Sequence, residues 1–219
     1  MENRRPPQPN DIPDSVVNLL LSSEMYVDSV AALIARLKED YSQPQRYYHT
    51  FDHIRQVVSY LNTNQAYLTN PRVALWAAFY HDVVYDPHAE AGRNEEDSVL
   101  RAEADLRSLL PESEVREVQA FIRATASHMT GSANHDLELF LDADMSILGS
   151  PAEVYFQYAA NIRKEYGWMP IGHYIIARAG ILNDLLGREK LFLTAVACDE
   201  FGEQAKDNIL SELGSLSNW

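Results

Sequence analysis

Between residues 16 and 38 the apolar residues Val16, Leu19, Leu20, Val27, Val30, Ala31, Ile34 and Leu37 recur in steps of three and four. That period lays them on one stripe of an amphipathic helix. The same period returns along most of the chain and predicts further helices over 49–61, 95–110, 113–126, 136–148, 151–166, 172–186 and 199–213. Another helix starts at Pro71, a residue suited to a first helical position, and Val73, Ala74, Leu75, Trp76, Ala77, Ala78 and Phe79 make it apolar almost all round. Such a helix belongs at the centre of a bundle. The stretch 62–70 reads as a loop, and only 83–85 and 191–196 are short and β-rich enough to compete as strands. The expected fold is all-α, and the absence of a repeat at a period of roughly 20 to 50 residues removes solenoid architectures.

The chain has 219 residues, 46% of them hydrophobic, enough for one sizeable core. Residues 1–14, with Pro6, Pro7, Pro9 and Pro13 among polar neighbours, read as a flexible leader, which leaves 15–219 as a single helical domain. Acidic residues outnumber basic ones 32 to 18, for a net charge of -14, so duplex nucleic acid and anionic membranes are repelled at long range. No apolar run reaches the ~20 residues of a membrane span, and the polar start is unlike a signal peptide, so a cytoplasmic protein is expected. Cys198 is the one cysteine. An intramolecular disulfide and a thiolate metal cluster are thereby excluded, and any metal must be held by histidines and carboxylates.

Three groups of such residues sit at the ends or on the inner faces of apolar helices. In Tyr47-Tyr48-His49-Thr50-Phe51-Asp52-His53-Ile54, His49 and His53 are four apart and are expected to project from one helix face. His81-Asp82 closes the apolar helix from Pro71, where a buried carboxylate costs several kcal/mol unless paired or metal-bound. In Phe140-Leu141-Asp142-Ala143-Asp144-Met145-Ser146, Asp144 falls on the apolar face, whereas Asp142 falls with Glu138 and Ser146 and reads as a solvated surface charge. His53, His81, Asp82 and Asp144 together offer two imidazoles and two carboxylates. That donor set suits one or two divalent cations (Mn, Fe, Co, Ni, Zn or Mg) with positions left open for water.

The order His, His-Asp, Asp resembles the HD superfamily of metal-dependent phosphohydrolases. Tyr48-His49-x-x-x-His53 is similar to the Tyr-His-Asn-x-x-His motif of cyclic-nucleotide phosphodiesterases, and Ala143-Asp144-Met145-Ser146 to their Ala-Asp-Leu-Ser. Thr50 stands where that motif has Asn, and Val83-Val84-Tyr85-Asp86-Pro87 follows the His-Asp pair, so cyclic nucleotides are not implied. With Phe79-Tyr80-His81-Asp82 and Asn94-Glu95-x-x-Ser98, the pattern looks most like a group of predicted HD phosphohydrolases of about this length, over roughly residues 16–213.

The resemblance implies an HD-type helical bundle with a central metal site. It also implies His53, His81, Asp82 and Asp144 as ligands and His49 as the acid that protonates the leaving oxygen. The reaction would be cleavage of a phosphoester or pyrophosphate bond in a small, nucleotide-like or other phosphorylated molecule by metal-activated water. Glu95 and Glu96, which open the next helix, either orient that water or complement the helix dipole. Arg163, Lys164 and Arg178 are the candidate phosphate-binding cations, each otherwise a solvated face. His128 borders the site, serves a second metal or is an ordinary loop histidine, and Asp52 and Asp86 either orient imidazoles or lie on the surface. Tyr48, Tyr85 and Trp168 are candidate pocket walls. Two rival readings stay open: an HD-type di-iron oxygenase with extra ligands from His88, His128 or His135, and a module that binds metal or nucleotide without turnover. A homodimer is compatible with either.

Overall fold

The computed structural model describes residues 12–21, 27–130 and 133–217. Among them the chain is all-α, without a strand: α1 (Asp14–Leu20), α2 (Val27–Asp40), α3 (Phe51–Thr63), α4 (Pro71–Tyr80), α5 (Arg93–Leu106), α6 (Glu112–Ala124), α7 (His135–Met145), α8 (Ala152–Glu165), α9 (Ile171–Leu186) and α10 (Ala195–Leu216). Short 3-10 turns occupy Gln65–Tyr67, inside the expected loop, and Ser146–Gly149, which ends α7 three residues before the expected boundary. Most of the proposed leader lies outside the described residues. Its last residue, Asp14, already belongs to α1, where the carboxylate suits the positive end of the helix dipole. The continuous helix expected over 16–38 is two helices, α1 and α2. Neither candidate strand forms, because 83–85 follows α4 as turn and 191–196 leads into α10.

The helices pack as two groups. In the first, α4 is wrapped by α1, α3, α5, α6 and α7, and every residue from Val73 to Tyr80 is buried. Its apolar circumference leaves it no stable place but the middle of a bundle. Tyr41 donates a hydrogen bond to the Phe79 carbonyl (3.0 Å) and the Trp76 indole donates to the Leu20 carbonyl (3.3 Å), so the polar handles of both buried rings are satisfied.

In the second group, α10 packs on α8, α9 and the Ser146–Gly149 turn, around Tyr155, Leu182, Phe192, Ala205 and Ile209. A Cβ at Gly149 would stand 2.8 Å from the Phe201 Cα, so this close approach to α10 requires glycine. Arg178 and Glu212 form a bidentate ion pair (2.8 and 3.0 Å) inside this group.

Three buried carboxylates fasten the backbone at helix starts. Asp136 accepts from the N–H groups of Thr69 (2.8 Å) and Asn70 (2.6 Å) ahead of α4. Glu165 accepts from Tyr47, Tyr48 and His49 ahead of α3. Asp142 accepts from the Leu193 and Thr194 N–H groups (both 2.7 Å) and the Thr194 hydroxyl (2.6 Å) ahead of α10. Asp142 is therefore not the solvated charge expected from its helix face. That side of α7 is covered by the segment leading into α10, and burial raises the Asp142 carboxyl above its ordinary pKa against the pull of the Thr194 and Leu193 bonds.

Candidate metal centre

The end of α4, the start of α3 and the inner face of α7 meet, and each contributes polar side chains to one spot. His53 Nε2 lies 3.0 Å from Asp144 Oδ1 and 3.7 Å from Asp82 Oδ2. His81 Nε2 lies 3.0 Å from Asp82 Oδ2, 3.3 Å from Asp144 Oδ1 and 3.2 Å from His53 Nε2. Both histidines are buried, and the Asp144 side chain is only 10% exposed.

The tautomer of His81 is set from behind. Its Nδ1 is 3.0 Å from the Ala78 carbonyl, which can only accept, so Nδ1 carries the proton and the neutral ring turns an Nε2 lone pair to the front. In front of that lone pair stand two carboxylate oxygens and a second imidazole nitrogen. Protons on the imidazoles can satisfy these carboxylates, and the same imidazole–carboxylate set is one able to hold a divalent metal ion. His53, His81 and Asp82 can hold a metal ion, their ligand atoms all lying within 4.8 Å of one another. With only protons to share, burial opposes a charged His81. The Asp82 and Asp144 charges outweigh it and hold its pKa well above the usual value. Burial likewise opposes both carboxylates, and His81 outweighs it and depresses them.

His49 does not share a helix face with His53, because α3 begins only at Phe51 and His49 lies in the bend before it. It converges on the centre all the same. Its Nε2 is 4.0 Å from Asp82 Oδ2 and its Nδ1 is 2.7 Å from Glu165 Oε2, with the Tyr85 ring stacked against it at 4.2 Å. Burial alone would lower the His49 pKa, but the charges of Asp82 and Glu165 raise it. The Tyr85 hydroxyl also donates to Glu165 Oε2 (3.0 Å). Burial pushes the Glu165 carboxyl up, and the His49 imidazole together with the Tyr48 and His49 N–H groups overrides this and holds it at about 2.

Other contacts pin the segments that carry these groups. The buried Arg46 guanidinium donates to the carbonyls of His49 (3.0 Å), Asp82 (2.8 Å) and Val83 (2.9 Å), strapping the approach to α3 onto the exit from α4. Asn94 and Ser98 on α5 accept hydrogen bonds from the Asp86 and Val84 N–H groups. His128 Nε2 reaches Asp144 Oδ2 at 2.8 Å, and His128 holds a left-handed backbone, φ 49°, that is uncommon outside glycine.

A cavity of about 490 Å³ opens in front of the cluster, lined by His49, His53, Asp82, His128 and Asp144 on one side and by residues of α9 and its exit on the other. A second cavity of about 410 Å³, whose walls include Asp52, Gln56, Glu153 and Gln157, shares Tyr48, His53, Ile147 and Tyr158 with it.

Compared with known proteins, the chain matches no family model, no curated protein and no solved structure.

Several expected site residues lie elsewhere. Glu96 is exposed and paired with Arg123 of α6 (2.7 Å), and neither it nor Glu95 lines the cavity. Arg163 donates to the Tyr166 and Met169 carbonyls and closes the turn after α8, while Lys164 bonds Asn161 at the surface (3.0 Å). Arg178 does reach the cavity, but its charge is matched by Glu212 and it also donates to the Tyr158 hydroxyl (3.2 Å). Asp52 pairs with Arg55 and Asp86 accepts from the His88 N–H, so neither orients an imidazole of the cluster. Tyr48 lines both cavities, whereas Trp168 stacks on His88 at 4.3 Å, away from them. His135 faces Glu138 and, like His88, does not line the cavity.

Glu165, Arg46 and Arg188 are the site residues that the sequence did not reveal. Glu165 is more than a hundred positions from the histidine it orients and sits in an ordinary amphipathic helix, so no local pattern marks it.

Proposed function

We propose that this chain is a metal-dependent phosphohydrolase of the HD type, acting on a small phosphorylated molecule. The observation that carries the reading is the His81 Nε2 lone pair, fixed by Ala78 and faced by His53, Asp82 and Asp144. Those four residues would hold a divalent cation. Such a cation supplies Lewis acidity, making water nucleophilic near neutral pH and offsetting charge on a phosphoryl oxygen. The order of these residues along the chain, with the Tyr48-His49 and Ala143-Asp144-Met145-Ser146 motifs, supports phosphate chemistry by its likeness to HD enzymes.

The chain's own residues divide the remaining work. Glu165 accepts the Nδ1 proton of His49 and steadies the imidazolium, whose second proton is on Nε2 toward the cavity. His49 is then placed to give that proton to a leaving oxygen. Arg46 holds the carbonyls on both sides of this arrangement, so His49 and Asp82 keep their spacing. The oxygenase alternative draws support from His128 alone, the one extra histidine beside the cluster.

The test is metal analysis of purified protein joined to phosphate-release assays over a panel of phosphorylated metabolites, with Mn or Co in anaerobic buffer. The expected result is metal-dependent release that His81→Ala abolishes together with metal binding. Tight binding of a compound with no turnover anywhere in the panel, or oxygen uptake by iron-loaded protein, would overturn the reading.

A further inference from the structure

The two arginines of the metal cavity are not equivalent. Arg178 is spent on Glu212. Arg188, in the exit of α9, donates only to the neutral carbonyls of His128 (3.3 Å) and Ser127 (3.0 Å), and no carboxylate lies within 4.0 Å of it among the described residues. Arg36, Arg72, Arg93, Arg101, Arg116 and Arg123 each pair with a carboxylate, whereas Arg188, like Arg46 and Arg163, bonds only neutral groups, and of these three it alone lines the metal cavity. A guanidinium carries five donors, so two carbonyl bonds leave others for a ligand. Its position is set by His128, which Arg188 grips at the backbone and Asp144 holds at the ring, so the unmatched cation stands beside the ligand cluster.

A second donor points the same way. The Tyr48 hydroxyl is buried with no hydrogen-bond partner among the described residues, and Tyr48 lines the cavity. A buried hydroxyl without a partner is destabilising unless a ligand satisfies it. The rest of the surroundings repel further negative charge: Asp184 lines this cavity, and Asp52 and Glu153 line its neighbour. One terminal phosphoryl group fits that pattern, and a polyphosphate chain does not.

We propose that the cavity takes a phosphomonoester with an uncharged body and that Arg188 anchors its phosphoryl group. The proposal rests on the phosphohydrolase reading and names its substrate class. The guanidinium fork would take two non-bridging phosphoryl oxygens, and an uncharged, hydroxyl-bearing body can lie along the amide side chains of the adjoining cavity.

The test is calorimetric titration of Mn-loaded protein with inorganic phosphate, a mimic of the monoester dianion, and with dimethyl phosphate, a mimic of a diester. Wild-type protein is expected to bind phosphate at least about tenfold more tightly than dimethyl phosphate. Arg188→Gln is expected to weaken phosphate about 10- to 100-fold, Arg188→Lys to restore part of the loss, and Mn affinity and thermal midpoint to stay unchanged. Equal binding of the two probes overturns the monoester class. Phosphate affinity unchanged in Arg188→Gln overturns the anchor and leaves the hydrolase reading standing, and so does a loss of Mn affinity, which would make Arg188 a support for His128. Wild-type protein that binds Mn but no phosphate overturns both.

Discussion

The bundle around α4 and the group formed by α8, α9 and α10 bury similar kinds of residue but use charge differently. Around α4 the core is continuous and apolar; Asp136 and Asp142 are each held by backbone N–H groups, and at the far end of α4 His53, His81, Asp82 and Asp144 face each other. In the second group the buried charges are already matched, Arg178 by Glu212 and Glu165 by His49 and three N–H groups. α9 also keeps Ile176 and Ile181 on the surface. A cluster of histidines and carboxylates without a lysine or arginine can take a metal ion in place of its protons, whereas a buried charge with a full set of fixed partners holds the structure in place. The first group thus carries the candidate metal centre, and the second supplies its back wall and the carboxylate that bonds His49.

Substitutions can break this division, starting with the largest effect. His81→Ala should abolish metal binding and lower phosphate release by on the order of 10³-fold, read by metal analysis and a colorimetric phosphate assay. If it lowered stability alone and left the metal bound, the first group would be no different from the second. Arg178→Met should act in the opposite sense. It leaves Glu212 buried without its partner and should cost about 3–5 kcal/mol in denaturant unfolding, with the metal affinity of the remaining folded protein unchanged.

Glu165→Gln sharpens the boundary between the groups. It should reduce turnover about 10- to 100-fold while metal is retained, as expected of a residue that acts through His49. It should also alter acid sensitivity. The Glu165 carboxyl sits at about 2 in the fold against an ordinary 4.5, so its ionised form is favoured by folding. That stabilisation is complete above 4.5 and is lost as pH falls through 2. The difference in thermal midpoint between wild type and Glu165→Gln should therefore narrow on acidification below pH 4.5, and a constant difference would contradict the assignment.

The smallest effect is expected at Gly149→Ala. The new Cβ meets the Phe201 backbone, and α10 must shift at a cost of about 1–3 kcal/mol, seen as a lowered midpoint with metal affinity intact.

What could be read along the chain were the features whose physics is local. The period of apolar residues shows the helices, and the fully apolar 73–79 segment foretells a central α4, because such a surface has no other stable environment. The convergence of His53, His81, Asp82 and Asp144 was legible for a related reason: an aspartate at the end of a buried helix or on the inner face of α7 stands out against apolar neighbours. Asp142 shows the limit. Its side of α7 looks solvent-facing on a helical wheel, and only the packing of the 191–194 segment buries it. Glu96 likewise follows the His-Asp motif closely in sequence, yet the direction of α5 turns it toward Arg123 of α6 and solvent.

By itself the sequence determined the helical class, the central helix and the residues that can bind a metal. Each follows from a periodicity or from a polar group placed in an apolar run. Tertiary structure alone decided which carboxylate orients His49, which arginine keeps an unmatched charge beside the cavity and which acids face water. Those outcomes depend on partners brought from distant parts of the chain: the charge state and exposure of a side chain are set by what packs against it.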